Sequence, residues 1–241
     1  MYASFMLSEA KKWIRDSMTA FMLLYPLLFG IIGRWVIPWL TDTTGLNLDP
    51  YMDIVLAALT IMAAHIYGAL VGFSILDDRD DHIFHSIQVT PLPIYQFVSF
   101  RLGLAMLLSF ATGIYIPLFS NLIPLSWGEV ILISAIASFS APLVGLLMNA
   151  FAKNKMEGFA VMKGIVAILI IFPIASLFFT DAKEWFFAFA PGFWPAKAMS
   201  SIVRGDEGQT IGFYGYILLG LGYVLLLNML VYTWFQKKTL Q

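Results

Sequence analysis

The sequence predicts an all-α membrane protein: six transmembrane helices, an N-terminal amphipathic interfacial helix, and short re-entrant helices before the last span. Three observations carry this reading. Six long apolar segments fill most of the 241 residues. A 23-residue segment reaches roughly 35 Å as a helix, enough to cross a hydrocarbon core of about 30 Å with some tilt. The chain is 60% hydrophobic and 12% charged, about half the charged share of a soluble domain. The opening residues, finally, alternate at helical spacing between an apolar and a basic face.

Residues 1–16 form the amphipathic connecting helix. Tyr2, Phe5, Met6, Ala10, Trp13 and Ile14 fall on one face and Ser4, Ser8, Lys11, Lys12 and Arg15 on the other, the pattern of a helix lying in the membrane surface. The apolar run that follows is too long for the core of a cleavable signal. It opens the six-helix domain, 17–241, whose spans are expected at 18–40, 53–76, 97–120, 129–152, 160–180 and 210–235.

Gly68 and Gly72 make a small-xxx-small pair in the second span, and Ala137, Ala141 and Gly145 a similar stripe in the fourth. Such stripes let helix backbones approach where lipid gives no hydrophobic drive for association. Prolines 26, 38, 117, 142 and 173 punctuate the spans, each removing a donor that a neighbour must replace. Residues 181–209 are too apolar for a free loop and too broken for a span. Trp185, Phe186, Phe187, Phe189, Phe193 and Trp194 crowd around Pro191-Gly192 and Pro195, which predicts two short helices dipping into the outer leaflet with aromatics at headgroup level.

Six spans put both termini on one side. That side holds Lys11, Lys12, Arg15, Arg79, Arg101, Lys153, Lys155, Lys163, Lys237 and Lys238; the other holds Arg34, Lys183, Lys197 and Arg204, ten against four of the 14 basic residues. The excess places the termini in the cytoplasm. A net charge of −1 gives no basic surface for nucleic acid, and the absence of cysteine removes disulfides and thiolate metal sites. No G-x-x-x-x-G-K-[ST] loop is present, so the chain has no P-loop ATP site.

The densest charge lies in a predicted cytoplasmic loop, 77–96, and reads Asp77-Asp78-Arg79-Asp80-Asp81-His82. As a magnesium–diphosphate site, of the kind membrane prenyltransferases use, it needs a second Asp-rich loop, and the other acids on that side are only Glu9, Asp16 and Glu157. As a transition-metal site, His82, His85 and Asp81 form a minimum set. As a docking surface, an acidic helix near 77–88 with Ile83, Phe84 and Ile87 as apolar anchors fits a basic soluble partner. Within the bilayer His65, Asn149 and Asn228 either line a pathway or bond between helices. Asp53, Glu129 and Arg34 fall near span ends, where water can reach them.

The order of these features resembles the membrane-spanning permease of type-2 ABC exporters. The match is best from Asp77 through Ile83-Phe84-His85-Ser86-Ile87 and Val89-Thr90-Pro91-Leu92-Pro93 to Arg101. It continues at Lys153-Asn154-Lys155-Met156-Glu157-Gly158 and at Phe189 through Ala198. The resemblance implies a bacterial-type cell-membrane exporter: two permease copies joined to two copies of a separate ABC ATPase, which alone binds ATP and magnesium. It further implies that Asp77, Asp78, Arg79, Asp80, Asp81, His82, Phe84 and Ile87 couple to the ATPase, together with Phe5, Lys11, Lys12, Trp13 and Arg15 of the N-terminal helix. Helices two and five would line the pathway and helices one and five the permease contact. Met62, His65, Tyr67, Asn149, Met162, Phe172 and Phe178 are the pathway candidates. The expected substrate is an amphipathic or apolar drug, peptide or lipid-like compound. The alternatives are a permease-like sensing or immunity subunit with no transported ligand, and an intramembrane prenyltransferase.

Overall fold

The computed structural model describes residues 2–83, 93–179, 181–205 and 210–239, and every regular element among them is helical. Helix α1 (Tyr2–Arg15) precedes a first span built from α2 (Ser17–Ile31), a π turn (Ile32–Val36) and α3 (Ile37–Thr44). The second span is α4 (Met52–Asp80), entered through a 3-10 turn at Asp49–Tyr51, and the third is α5 (Ile94–Ser120). The fourth divides into α6 (Trp127–Ser138) and α7 (Ser140–Phe151); the fifth is α8 (Lys155–Ser176). A 3-10 segment, Ala182–Phe187, and α9 (Phe193–Arg204) lead to the sixth span, α10 (Phe213–Thr239).

Local chemistry sets the breaks. Asp16 caps α2 by accepting from the Thr19 amide, and Ser126 with Glu129 forms a full capping box at the start of α6. The fourth span breaks at Phe139, three residues before Pro142, which cannot donate to the Ser138 carbonyl. Asn228 of the sixth span donates to the Phe139 carbonyl at 3.1 Å, the kind of replacement a broken helix in lipid needs. Asn228 is therefore an interhelical fastener. The π turn of the first span lies just before Pro38, whose ring would crowd the Arg34 carbonyl in a regular helix.

The second and fourth spans form the core. In their most apolar stretches 72% of residues are buried, against 28%, 18% and 17% in the first, fifth and sixth spans, which therefore face outward. The two small-residue stripes meet: a Cβ on Gly68 would collide with the Ala141 carbonyl, and one on Gly145 would press on the Gly68 carbonyl at 3.2 Å. Asn149 locks the same seam by donating to the Gly72 carbonyl at 3.0 Å. Gly68→Ala is expected to destabilise the fold by about 1–3 kcal/mol, because rigid backbone lies in the way. Gly103→Ala, in open space on the third span, is expected to leave the melting temperature in detergent unchanged. Equal melting of the two variants would refute the seam.

The short helices expected before the last span are present as the 3-10 segment and α9, and what differs is the setting of the α9 aromatics. Phe193, Ala196, Lys197, Ala198 and Met199 are buried among the spans, so α9 plugs the bundle. Only the aromatics before it, such as Phe186 at 72% exposure, stand where a leaflet or headgroup would meet them.

Candidate functional site

Three constellations stand out: a stitched charge cluster at the end carrying the termini, a second ion network at the opposite end, and an apolar cavity between them.

The acidic run belongs to the last turn of α4, which continues to Asp80. Successive residues on an α-helix point about 100° apart, so the four consecutive side chains fan out to different parts of the bundle. Asp77 and Asp80, three residues apart on one face, both meet Lys155. Asp77 pairs with Lys155 at 3.0 Å. Asp78 pairs with Lys12 at 2.5 Å and with Arg101. Arg79 donates to the Ala152 carbonyl at 3.0 Å, closing the end of α7, and Asp80 accepts from the Lys155 amide. Arg101 is buried, donates to Glu9 at 2.6 Å and stacks on Phe97. Trp13 is buried as well and donates to the Ser74 hydroxyl at 3.3 Å.

These contacts correct the expected docking helix near 77–88. Asp78 is not an exposed carboxylate, and Asp77 and Arg79 are engaged within the chain. Asp80, Asp81 and His82 remain on the surface, while Phe84 and Ile87 lie outside the described residues. The helix α1 turns Glu9 and Trp13 inward and Ile14 outward, not one uniformly apolar face; Lys11 and Arg15 are exposed, and the Phe5 side chain lies outside the described residues. Charge therefore decides which side of α1 docks, because Glu9 has a buried cation to meet. Among the described residues no three His, Asp or Glu side chains gather to hold a metal. The magnesium reading has no ligand set there, and His85 of the histidine–carboxylate reading lies outside the described residues.

At the opposite end Asp53 is wholly buried and receives two hydrogen bonds from Arg204, at 2.8 and 3.1 Å. It is thus paired, contrary to the expectation of a hydrated span end. Lys197 reaches Glu184 at 2.5 Å, and the Glu184 carboxylate also accepts from the hydroxyls of Tyr216 and Thr210. Burial alone would push the Glu184 carboxyl up, but the hydrogen bonds from Lys197, Thr210 and Tyr216 outweigh it and hold the group below its ordinary value. Together these pairs tie α9 to the second and sixth spans.

Between the two ends a cavity of about 690 Å³ opens among the first, second and fifth spans. Met18, Met22, Met62 and Met162 line it together with Phe21, Tyr25, Phe29, Phe73 and Phe159. Unbranched thioethers beside aromatic faces give a wall that re-forms around apolar guests of differing shape. Along the first span the lining runs from Ser17 to Phe29, about 18 Å of helix, so the cavity occupies the half of the bundle nearest the termini.

Of the pathway candidates, Met62, His65 and Met162 meet at this cavity. The others do not. Tyr67 is buried away from it, Asn149 fastens the second span to the fourth, Phe172 packs on Phe187 and Phe189, and Phe178 stands 63% exposed near the opposite end. Sequence reasoning missed the first span's contribution, although Met18, Phe21, Met22 and Tyr25 are spaced at three and four residues on one face.

Six apolar spans, three of which wall a methionine- and aromatic-lined cavity, give the architecture of a multi-pass membrane permease. Residues 9–232 match the model of the fluoroquinolones export permease protein Rv2686c-like family, and the chain belongs to that family. It is 26% identical to the fluoroquinolones export permease proteins MT2760 and Rv2686c of two Mycobacterium tuberculosis strains, CDC 1551 / Oshkosh and ATCC 25618 / H37Rv. The match covers 98% of this chain and 94% of each relative. No solved structure matches the chain significantly. The family agrees with the type-2 ABC permease resemblance read from the sequence.

Proposed function

We propose that this permease exports fluoroquinolone-like, amphipathic aromatic drugs, driven by a separate ABC ATPase and working beside a second permease copy. The observation that carries the proposal is the cavity, whose methionine and aromatic walls suit a flat apolar guest, in a chain whose relatives are named for fluoroquinolone export. The basic bias puts the terminus-bearing half, and so the cavity, on the cytoplasmic side. A drug enters there from the cytosol or inner leaflet. The outward faces of the first and fifth spans are left for the second copy, and exposed Asp80, Asp81, His82, Lys11 and Arg15 for the ATPase, which binds ATP and magnesium.

The test is ATP-dependent uptake of a fluorescent fluoroquinolone into inverted vesicles holding this chain and a candidate ABC ATPase subunit that co-purifies with it. Met162→Trp, which fills the cavity from the partly exposed fifth span, is expected to cut uptake at least tenfold while the protein still inserts. Paired Asp80→Ala and Asp81→Ala changes are expected to uncouple ATP hydrolysis from uptake without unfolding, since Asp78 is untouched. Uptake that ignores ATP, or that survives Met162→Trp at full rate, would refute the proposal.

A further inference from the structure

One lining residue of the cavity is polar, deeply buried and incompletely bonded. His65 lies on the second span at 1% exposure. Its Nδ1 stands 2.6 Å from the Ile61 carbonyl one turn earlier. A carbonyl oxygen only accepts, so Nδ1 carries the proton, and the neutral ring keeps a lone pair on Nε2. That Nε2 is shielded from solvent and has no hydrogen-bond partner among the described residues. His65 is one of the residues lining the cavity, and with Nδ1 turned back onto its own helix, Nε2 is the ring nitrogen still able to accept a hydrogen bond.

An unpaired acceptor in an apolar wall is costly and directional. It adds nothing to the binding of a pure hydrocarbon and favours a guest that brings a donor. The other hydroxyls on the wall, Ser17 and Tyr25, sit on the outward-facing first span, and a hydroxyl both donates and accepts, so neither selects. Met62 and Met162 flank the same wall, and their flexible thioethers can shift to let a guest reach the ring.

We infer that His65 is the specificity-determining residue of the cavity: its Nε2 accepts a hydrogen bond from an N–H donor on an otherwise apolar, aromatic substrate. This rests on the cavity being the drug site and adds which functional group the drug must carry.

The experiment uses the full chain in lipid nanodiscs and a pair of probes, a fluoroquinolone with a free piperazinyl N–H and its N-acetyl counterpart. Binding is followed by drug fluorescence at alkaline pH, where the piperazinyl nitrogen is an uncharged N–H and the two probes carry the same charge. The wild type is expected to bind the N–H compound about tenfold more tightly. His65→Phe should erase that preference by weakening the N–H compound alone, and His65→Gln, which restores an acceptor oxygen, should recover part of it. A second readout needs no variant to fold. The chain has 3 histidines, so selective ¹⁵N labelling makes the His65 imidazole assignable. Its unprotonated Nε2 resonance should move on adding the N–H compound and stay put with the acetyl compound. Equal affinity of the wild type for both probes, a preference that survives His65→Phe, or an unmoved Nε2 signal with the N–H compound bound would overturn the role of His65 and leave the cavity as the drug site. Failure of both probes to bind would overturn the drug site itself.

Discussion

Replacing Arg101 with Met is expected to destabilise the protein by about 3–5 kcal/mol, because the buried carboxylates of Glu9 and Asp78 lose their shared cation. The mechanism is the uncompensated charge rather than lost volume, since Met fills much of the arginine stem. The amphipathic helix should detach with it, because Glu9 is one of its two inward anchors. Lys12→Met removes the other cation on Asp78, but that side chain is about a third exposed, and water can take over its work; a loss of about 1 kcal/mol or less is expected. Adding Asp78→Asn to Arg101→Met should restore part of the stability, a non-additivity that a double-mutant cycle measures. Fluorescence-detected melting in detergent is the readout. An Arg101→Met protein that melts with the wild type would show that the buried charges are not the clasp.

Lys197→Met is the second large effect. Glu184 is fully buried, and Lys197 is its charge partner across the plug. Removing the lysine alone strands a carboxylate in the bundle, at about 3–5 kcal/mol, and α9 should loosen from the second and sixth spans. Since the chain contains no cysteine, Ser200→Cys on buried α9 is a unique reporter. Its maleimide labelling should be slow in the otherwise native chain and at least tenfold faster with Lys197→Met. Glu184→Gln added to that variant removes the stranded charge, can still accept from the Tyr216 and Thr210 hydroxyls, and should slow labelling again. The pH dependence follows from the lowered Glu184 carboxyl. A depressed carboxyl contributes its stability above the ordinary value of 4.5 and loses it as pH falls through the lower folded value. Measured relative to the intrinsic labelling rate of a fully exposed thiol at the same pH, labelling of Ser200→Cys should therefore stay suppressed from neutral pH down to about 5 and lose that suppression only in stronger acid. Labelling indifferent to Lys197→Met would leave the plug without its ionic latch.

The helices were readable from the chain because hydropathy and small-residue spacing are properties of adjacent residues. The stripes Gly68/Gly72 and Ala141/Gly145 could be named from sequence as helix-packing faces, and the structure presses them together. The break in the fourth span follows from Pro142, although its repair by Asn228, 89 residues away from Phe139, does not. Met62, His65 and Met162 were recognisable as adaptable or polar residues at membrane depth. Tyr67, Phe172 and Phe178 share that chemistry and face elsewhere, because composition does not fix rotation about a helix axis. The acidic run misled for a related reason. Read as a loop, four charges look like one surface; read as the end of a helix, they diverge.

The linear code of apolar residues was enough to establish a six-span membrane protein, since partition into lipid acts on each segment almost independently; the exporter-permease kind was legible only through the resemblance of its ordered motifs to type-2 ABC permeases. Burial of Glu9, Asp78 and Arg101, pairing of Asp53 with Arg204, and the cavity among the first, second and fifth spans were decided only by the packed bundle. A charge's partner and a cavity's wall come from residues far apart in the chain, and their energies exist only once the helices have met.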